Sequence, residues 1–402
     1  MRKFVSRAAW LGVALLSLAL SGCASAAHAS GPAAPRATAT ATPLPQLVWT
    51  PVKLPADFSG DGNNLAVSPV DGHDAWMCQS TSANTYAIWK TTDAGVTWSQ
   101  VGHFSFTAPL SGAWCDLNAD QNGTSALLAT IGWGCGECGN LAGASLFSAD
   151  GATHWTPLSG YVGGGEFASV SGGVIAIMAK SADGQSGGTE YLAFSSNGFQ
   201  TWRAMSSRGL PTQFFHFAVS PDGATLIGSG YNDTLWRSSD LGAHWTQISS
   251  PSGQQTGLNI WLPQRQAFLL CGNNLQPQGL IYCSTDLGAH WYPVHTLAYS
   301  APCPTPGKCG QGVTTQRQQC VPTGVESDGT IISLCLPNQT TPLPPSGPSS
   351  SIVYRYPLGG SAWQQIGSTQ CALRAIPASG PVWCADATPD QLIGYETGQL
   401  PG

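Results

Sequence analysis

One octapeptide recurs along the chain, and its spacing restricts the folds open to it. It reads Thr91-Thr-Asp-Ala-Gly-Val-Thr-Trp98, Ser238-Ser-Asp-Leu-Gly-Ala-His-Trp245 and Ser284-Thr-Asp-Leu-Gly-Ala-His-Trp291. Looser copies stand at Ser148-Ala-Asp-Gly-Ala-Thr-His-Trp155 and Ser195-Ser-Asn-Gly-Phe-Gln-Thr-Trp202. Each copy separates two short apolar or aromatic runs, such as Thr234–Arg237 from Trp245–Ile248. That arrangement predicts a hairpin, with the Asp accepting hydrogen bonds inside the turn, Gly supplying a positive φ, and the Trp packing back over it. These are folding duties.

The pattern Ser/Thr-x-Asp-x-Gly-x-x-Trp resembles the Asp-box, or BNR, family, in which it marks the last hairpin of a β-propeller blade. Asp93 with Trp98, Asp240 with Trp245 and Asp286 with Trp291 match fully. Asp150 with Trp155 and Asn197 with Trp202 depart, having Gly one position early and, at 197, Asn for Asp; locally different turns are expected there. Sialidases, plant-polysaccharide hydrolases, sortilin-type receptors and photosystem II assembly factors share such boxes, so the resemblance bears on fold and not on activity.

Successive boxes are 57, 47, 43 and 46 residues apart counting from Asp93, matching the ~40–50 residues of a four-stranded blade. Between them lie strand–turn–strand units such as Phe217–Gly223 before Thr225–Gly228. A sixth unit keeps only Gly360 and Trp363 of the box, with Leu358 in the Asp position. A seventh, Cys371–Glu396, has three strands, and Leu47–Val52 resembles the missing outer one. The fold expected is all-β: a seven-bladed propeller, six-bladed as the alternative, closed by pairing of its N- and C-terminal strands, which removes two open edges.

Residues 1–22 carry Arg2, Lys3 and Arg7 before an apolar run, ending Leu20-Ser21-Gly22-Cys23. This reads as a secretory signal whose end resembles a bacterial lipobox, implying lipidation at Cys23; cleavage near Ala27 or Ala29 is the alternative. Residues 23–46, rich in Ala, Thr and Pro, read as a disordered tether, and 47–402 as one propeller domain. Attachment to the membrane is expected through the lipid only, at the surface of a bacterium, with the protein a monomer.

Only 9 % of residues are charged and the net charge is −6, which excludes a basic nucleic-acid footprint. Besides Cys23 there are twelve cysteines, an even number in an exported chain, and disulfides are expected. Sequence does not fix the connectivity, but the blade alignment narrows it by placing Cys78 and Cys115, Cys271 and Cys283, Cys320 and Cys335, and Cys371 and Cys384 on neighbouring strand positions. Cys135 with Cys138 and Cys303 with Cys309 close small loops. For Cys135-Gly-Glu-Cys138, a redox pair or half a zinc site is the functional alternative.

A sialidase needs clustered arginines, a Tyr–Glu pair and an acid. This chain has no arginine between Arg36 and Arg203. Other glycosidases need two carboxylates ~5–9.5 Å apart; the weak candidates nearest inner-strand ends are Glu166, Asp57, Asp61 and Asp116, with Glu166 foremost because Gly163-Gly-Gly-Glu166 enters an inner strand. His154, His244 and His290 each precede a box Trp and are expected around an outer rim, so no metal and no cofactor is expected. Aromatics at the strand entries (Phe104, Phe106, Tyr161, Phe167, Phe214 and Phe215) are candidates for stacking on a sugar or a peptide. The expected function is non-catalytic recognition of an extracellular protein or glycan, with an exo-acting glycoside hydrolase of the sialidase-like group as the alternative.

Overall fold

A computed structural model describes residues 47–55, 65–82, 84–105, 114–133, 142–158, 161–180, 189–205, 214–230, 234–249, 255–262, 267–273, 281–294, 300–302, 315–317, 320–326, 329–335, 351–357, 360, 363–369, 372–375, 377, 379–386 and 394–398. Among these there is no helix. The signal, the tether, Asp57, Asp61, Phe106, Cys135, Cys138, Cys303, Cys309 and Cys371 lie outside the described residues.

The strands form seven four-stranded antiparallel sheets, the architecture of a β-propeller. The first sheet comprises Leu65–Val67, Ala75–Ser82, Thr85–Thr91 and Ser99–Ser105. The second comprises Trp114–Ala119, Leu127–Trp133, Ala142–Ser148 and Thr156–Pro157; the third Tyr161–Val170, Gly173–Lys180, Thr189–Ser195 and Arg203–Ala204. The fourth comprises Phe214–Val219, Leu226–Gly230, Thr234–Ser238 and Thr246–Ile248; the fifth Gln255–Leu262, Ala267–Asn273, Ile281–Ser284 and Tyr292–Val294. The sixth is built from Cys320–Val325, Ile331–Cys335, Ser351–Tyr356 and Gln364–Thr369. In the seventh, Ala372–Ala375, Val382–Asp386 and Gly394–Gly398 are completed by Trp49–Pro51 from the start of the domain, with Trp49 opposite Gly398 and Pro51 opposite Glu396. A two-stranded ribbon, Ser300–Pro302 with Thr315–Arg317, stands within the insertion after the fifth sheet.

These strands are apolar on both faces because each sheet is covered on both sides. Along Leu127–Trp133, Leu127, Ala129 and Ile131 pack against the first sheet while Leu128 packs against the third, as the two-residue period of a strand requires. Ile175 and Ile177 likewise face the fourth sheet, and Val174, Ala176 and Met178 the second. One buried cluster of this kind joins each sheet to the next, from the first through to the seventh. A further cluster contains Ala75 and Met77 of the first sheet and Trp383 of the seventh.

Two buried disulfides add covalent ties. Cys78–Cys115 connects the second strand of the first sheet to the first strand of the second. Cys271–Cys283 joins residues directly opposite each other on neighbouring strands of the fifth. Cys384 is also disulfide-bonded, and Cys320 stands directly opposite Cys335 in the ladder. Bonds of this sort fit an oxidising, extracellular setting.

Candidate functional site

The five recurrent turns share one hydrogen-bond pattern. In the fourth sheet Ser238 Oγ donates to Asp240 Oδ1 (2.9 Å) and accepts the Gly242 amide (2.9 Å), while Asp240 Oδ1 accepts the His244 amide (2.9 Å). Two successive residues take left-handed backbone in every copy: Ala94 and Gly95, Gly151 and Ala152, Gly198 and Phe199, Leu241 and Gly242, Leu287 and Gly288. The two looser copies therefore build the same turn as the others, with glycine moved to the first left-handed position. Asn197 substitutes for Asp without loss, since its Oδ1 accepts the Thr201 amide (3.0 Å) and its Nδ2 donates to Thr201 Oγ1 (2.9 Å).

The second left-handed residue of each turn meets the outer edge of the preceding sheet. Ala152 O presses on Gly102, where an added Cβ would lie 1.9 Å away. Gly242 abuts Met205, Gly288 abuts Ile248, Gly95 abuts Val52, and Phe199 is buried in a cluster that includes Leu158. Two of the tryptophans close their own turns, Trp155 Nε1 donating to Ala152 O (3.0 Å) and Trp245 Nε1 to Gly242 O (3.1 Å), while Trp291 Nε1 crosses to Ser249 O at the edge of the fourth sheet (2.7 Å).

His154, His244 and His290 place Nδ1 2.6 Å from Oδ2 of Asp150, Asp240 and Asp286. Their amides and rings hold Asp150 and Asp286 down to about 2 from an ordinary 3.8; at Asp240 the ring is the larger cause and the amide the second, with the same result. The Thr97 hydroxyl and then its amide lower Asp93. The three histidines are largely exposed and stand in three different sheets. No group of three metal-ligating side chains occurs among the described residues.

The other candidate region is formed by the first strands of the sheets, which abut one another in succession from the first sheet to the sixth. In the third to seventh sheets these strands are bulged near their entry, between Val162 and Phe167, Phe214 and His216, Thr256 and Leu258, Pro322 and Gly324, and Leu373 and Ala375. Bulges re-aim side chains and are common beside binding sites. Glu166 sits in the first of them. Its Oε1 is 2.5 Å from His216 Nδ1 and its Oε2 accepts the Phe217 amide (3.2 Å), so both oxygens engage the next sheet.

Asp120 does the same one interface earlier: Oδ1 accepts the amides of Ser169 (2.8 Å) and Asn122 (3.1 Å), and Oδ2 accepts the Thr124 hydroxyl. Asp116 is on the strand Trp114–Ala119, which ends just before Asp120, and stands directly opposite Thr130. Of the aromatic candidates, Phe104 is stacked on Tyr86 (5.4 Å) and edge-on to Trp155 (5.2 Å), and Phe167 is fully buried against Phe147 (6.0 Å); both are packing residues. The pairing of His216 with Glu166 and the role of Asp120 escape sequence reasoning. The available signal for His216 is the repeat itself, since it follows Glu166 by 50 residues, about one unit.

These features define a β-propeller whose first strands are bulged in five of its sheets. No family model matches the chain. A xyloglucanase of Hypocrea jecorina (strain QM6a) is 26 % identical over 287 residues, which is 64 % of this chain and 30 % of the relative. The chain thus spans less than a third of that enzyme's length. An oligogalacturonate lyase from Vibrio parahaemolyticus superposes with a TM-score of 0.51 at 11 % identity, covering 88 % of this chain and 97 % of that one. YCF48 bound to D1 peptide superposes with a TM-score of 0.46 at 14 % identity over 89 % of this chain and 97 % of that one.

Proposed function

We propose that the chain is an exported, seven-bladed, closed Asp-box propeller that recognises an extracellular protein or carbohydrate and performs no chemistry. Residues 1–22 are its lipoprotein signal, Cys23 its lipidated anchor, 23–46 its tether and 47–402 its propeller. Closure is supported by the pairing of Trp49–Pro51 with Gly394–Gly398 and by the cluster of Ala75, Met77 and Trp383. The binding surface is the bulged entry of the first strands.

The observation that carries this reading is the use made of Glu166. Both of its oxygens are committed to the neighbouring strand, as those of Asp120 are to its own turn and the next sheet. A general acid or a nucleophile must present an oxygen to substrate. The carboxylates of the recurrent turns lie between third and fourth strands of separate sheets, where they hold backbone amides.

The likeness to a xyloglucanase favours one second reading, a glycoside hydrolase acting on plant polysaccharide. A glycan array run beside activity screens on sialosides, xyloglucan and other β-glucans separates the two. Binding without product supports recognition; released sugar supports the hydrolase.

A further inference from the structure

The segment from Leu47 to Leu54 is seated like a bound peptide. Leu47 is 6 % exposed, lies with Ile332, Val353, Ile366 and Val382, and donates its amide to Ile366 O (2.6 Å). A Cβ on Gly367 would come 2.9 Å from Leu47 Cβ, so a bare backbone at 367 makes the seat. Trp49 packs on the same cluster, while Val52 and Leu54 pack with Ala75, Met77 and Trp383. Val48 is 69 % exposed, and Thr50, Pro51 and Lys53 also face outward. The segment therefore presents apolar residues to three sheets and, between them, adds one strand to the edge of Gly394–Gly398.

We infer that this seat is an exchangeable peptide-binding groove whose second occupant is the same segment of another copy of the chain. The groove matches its occupant in backbone register and in apolar spacing, the two features that give strand addition its affinity and its selectivity. A second copy carries both features unchanged. Reciprocal exchange replaces every contact of the seated segment with an identical one, so the two arrangements differ mainly in the entropy of association. Occupation in cis wins in dilute solution, because a tethered segment competes at an effective concentration on the order of mM. Crowded chains favour exchange.

Thr50 and Thr397 are directly opposite in the ladder, which makes them reporters. Full-length Thr50→Cys and Thr397→Cys variants are mixed, warmed into the foot of the unfolding transition, cooled at high concentration and oxidised; the cross-linked peptide is then sought by mass spectrometry. A double variant carrying both substitutions in one chain measures the cis geometry. The expected result is the cis bond in the double variant, and in the mixture a 50–397 bond between chains that increases with concentration. Adding Leu47→Asp to the Thr50→Cys chain is expected to lower that yield at least about tenfold, since a charge cannot enter the Leu47 seat. A cis bond without any bond between chains overturns the inference, as does a bond between chains indifferent to Leu47→Asp.

Discussion

Trp383 Nε1 donates to the carbonyl of Gly72 across 2.7 Å, tying the seventh sheet to a turn of the first although 311 residues separate them in sequence. Gly72 also donates its amide to Ser379 O (2.8 Å), and the Ser379 amide returns to Val70 O (3.1 Å). An added Cβ at Gly72 would stand 2.1 Å from Pro381 O, so the two turns meet backbone to backbone. Trp383→Phe keeps most of the ring and loses the hydrogen bond, for an expected loss of about 1 kcal/mol. Trp383→Ala empties a fully buried site and is expected to cost about 3–5 kcal/mol. Denaturant unfolding checks both.

Acid should loosen the turns in a defined window. The folded protein holds Asp150, Asp240 and Asp286 at about 2 against an ordinary 3.8, so their contribution is complete above 3.8 and is lost as pH falls towards 2. A triple Asp→Asn variant at these positions is expected to show a flatter melting temperature between those pH values than the parent. Asn197 shows that an amide fits the same turn.

Gly102→Ala should be among the most damaging single-methyl changes in the protein. The new Cβ would fall 1.9 Å from Ala152 O, a backbone atom of the turn that clasps the first sheet. Overpacking of this kind costs about 1–3 kcal/mol, and a backbone obstacle puts it at the upper end. Gly172→Ala has open space around it and meets only the positive φ of 84°; roughly 1 kcal/mol is expected there. Melting curves of the two variants test the ranking.

Most of the scaffold is written in the repeats. The box spacing and the strand–turn–strand units lead to four strands per sheet, and the likeness of Leu47–Val52 to post-box strands leads to its place beside Gly394–Gly398. The turn detail at 148–155 and 195–202 is not legible, because a left-handed bulky residue is disfavoured locally. Phe199 has φ 70° and is held there by burial against Phe147 (4.0 Å) and Trp202 (4.5 Å), a tertiary cause with no local sign. The bulges are equally silent, since an extra residue in an apolar strand leaves composition unchanged. The tie between Glu166 and His216 follows from them.

Removing Cys78–Cys115 by paired Ala substitution should cost about 2–4 kcal/mol, whereas removing Cys271–Cys283 should cost less. The first bond closes a loop with a sequence separation of 37 and joins two sheets; the second closes one of 12 within a single sheet. Chemical denaturation of the two double variants gives the comparison.

The measurement that bears most directly on the proposed reading, recognition by a propeller with structural carboxylates, is release of reducing sugar from xyloglucan by the wild type and by Glu166→Gln, with thermal unfolding recorded on the same samples. Expected is no release above buffer from either protein, together with a lower melting temperature for Glu166→Gln, because the hold on His216 and Phe217 is weakened. Release by the wild type that disappears in Glu166→Gln at an unchanged melting temperature would contradict the account.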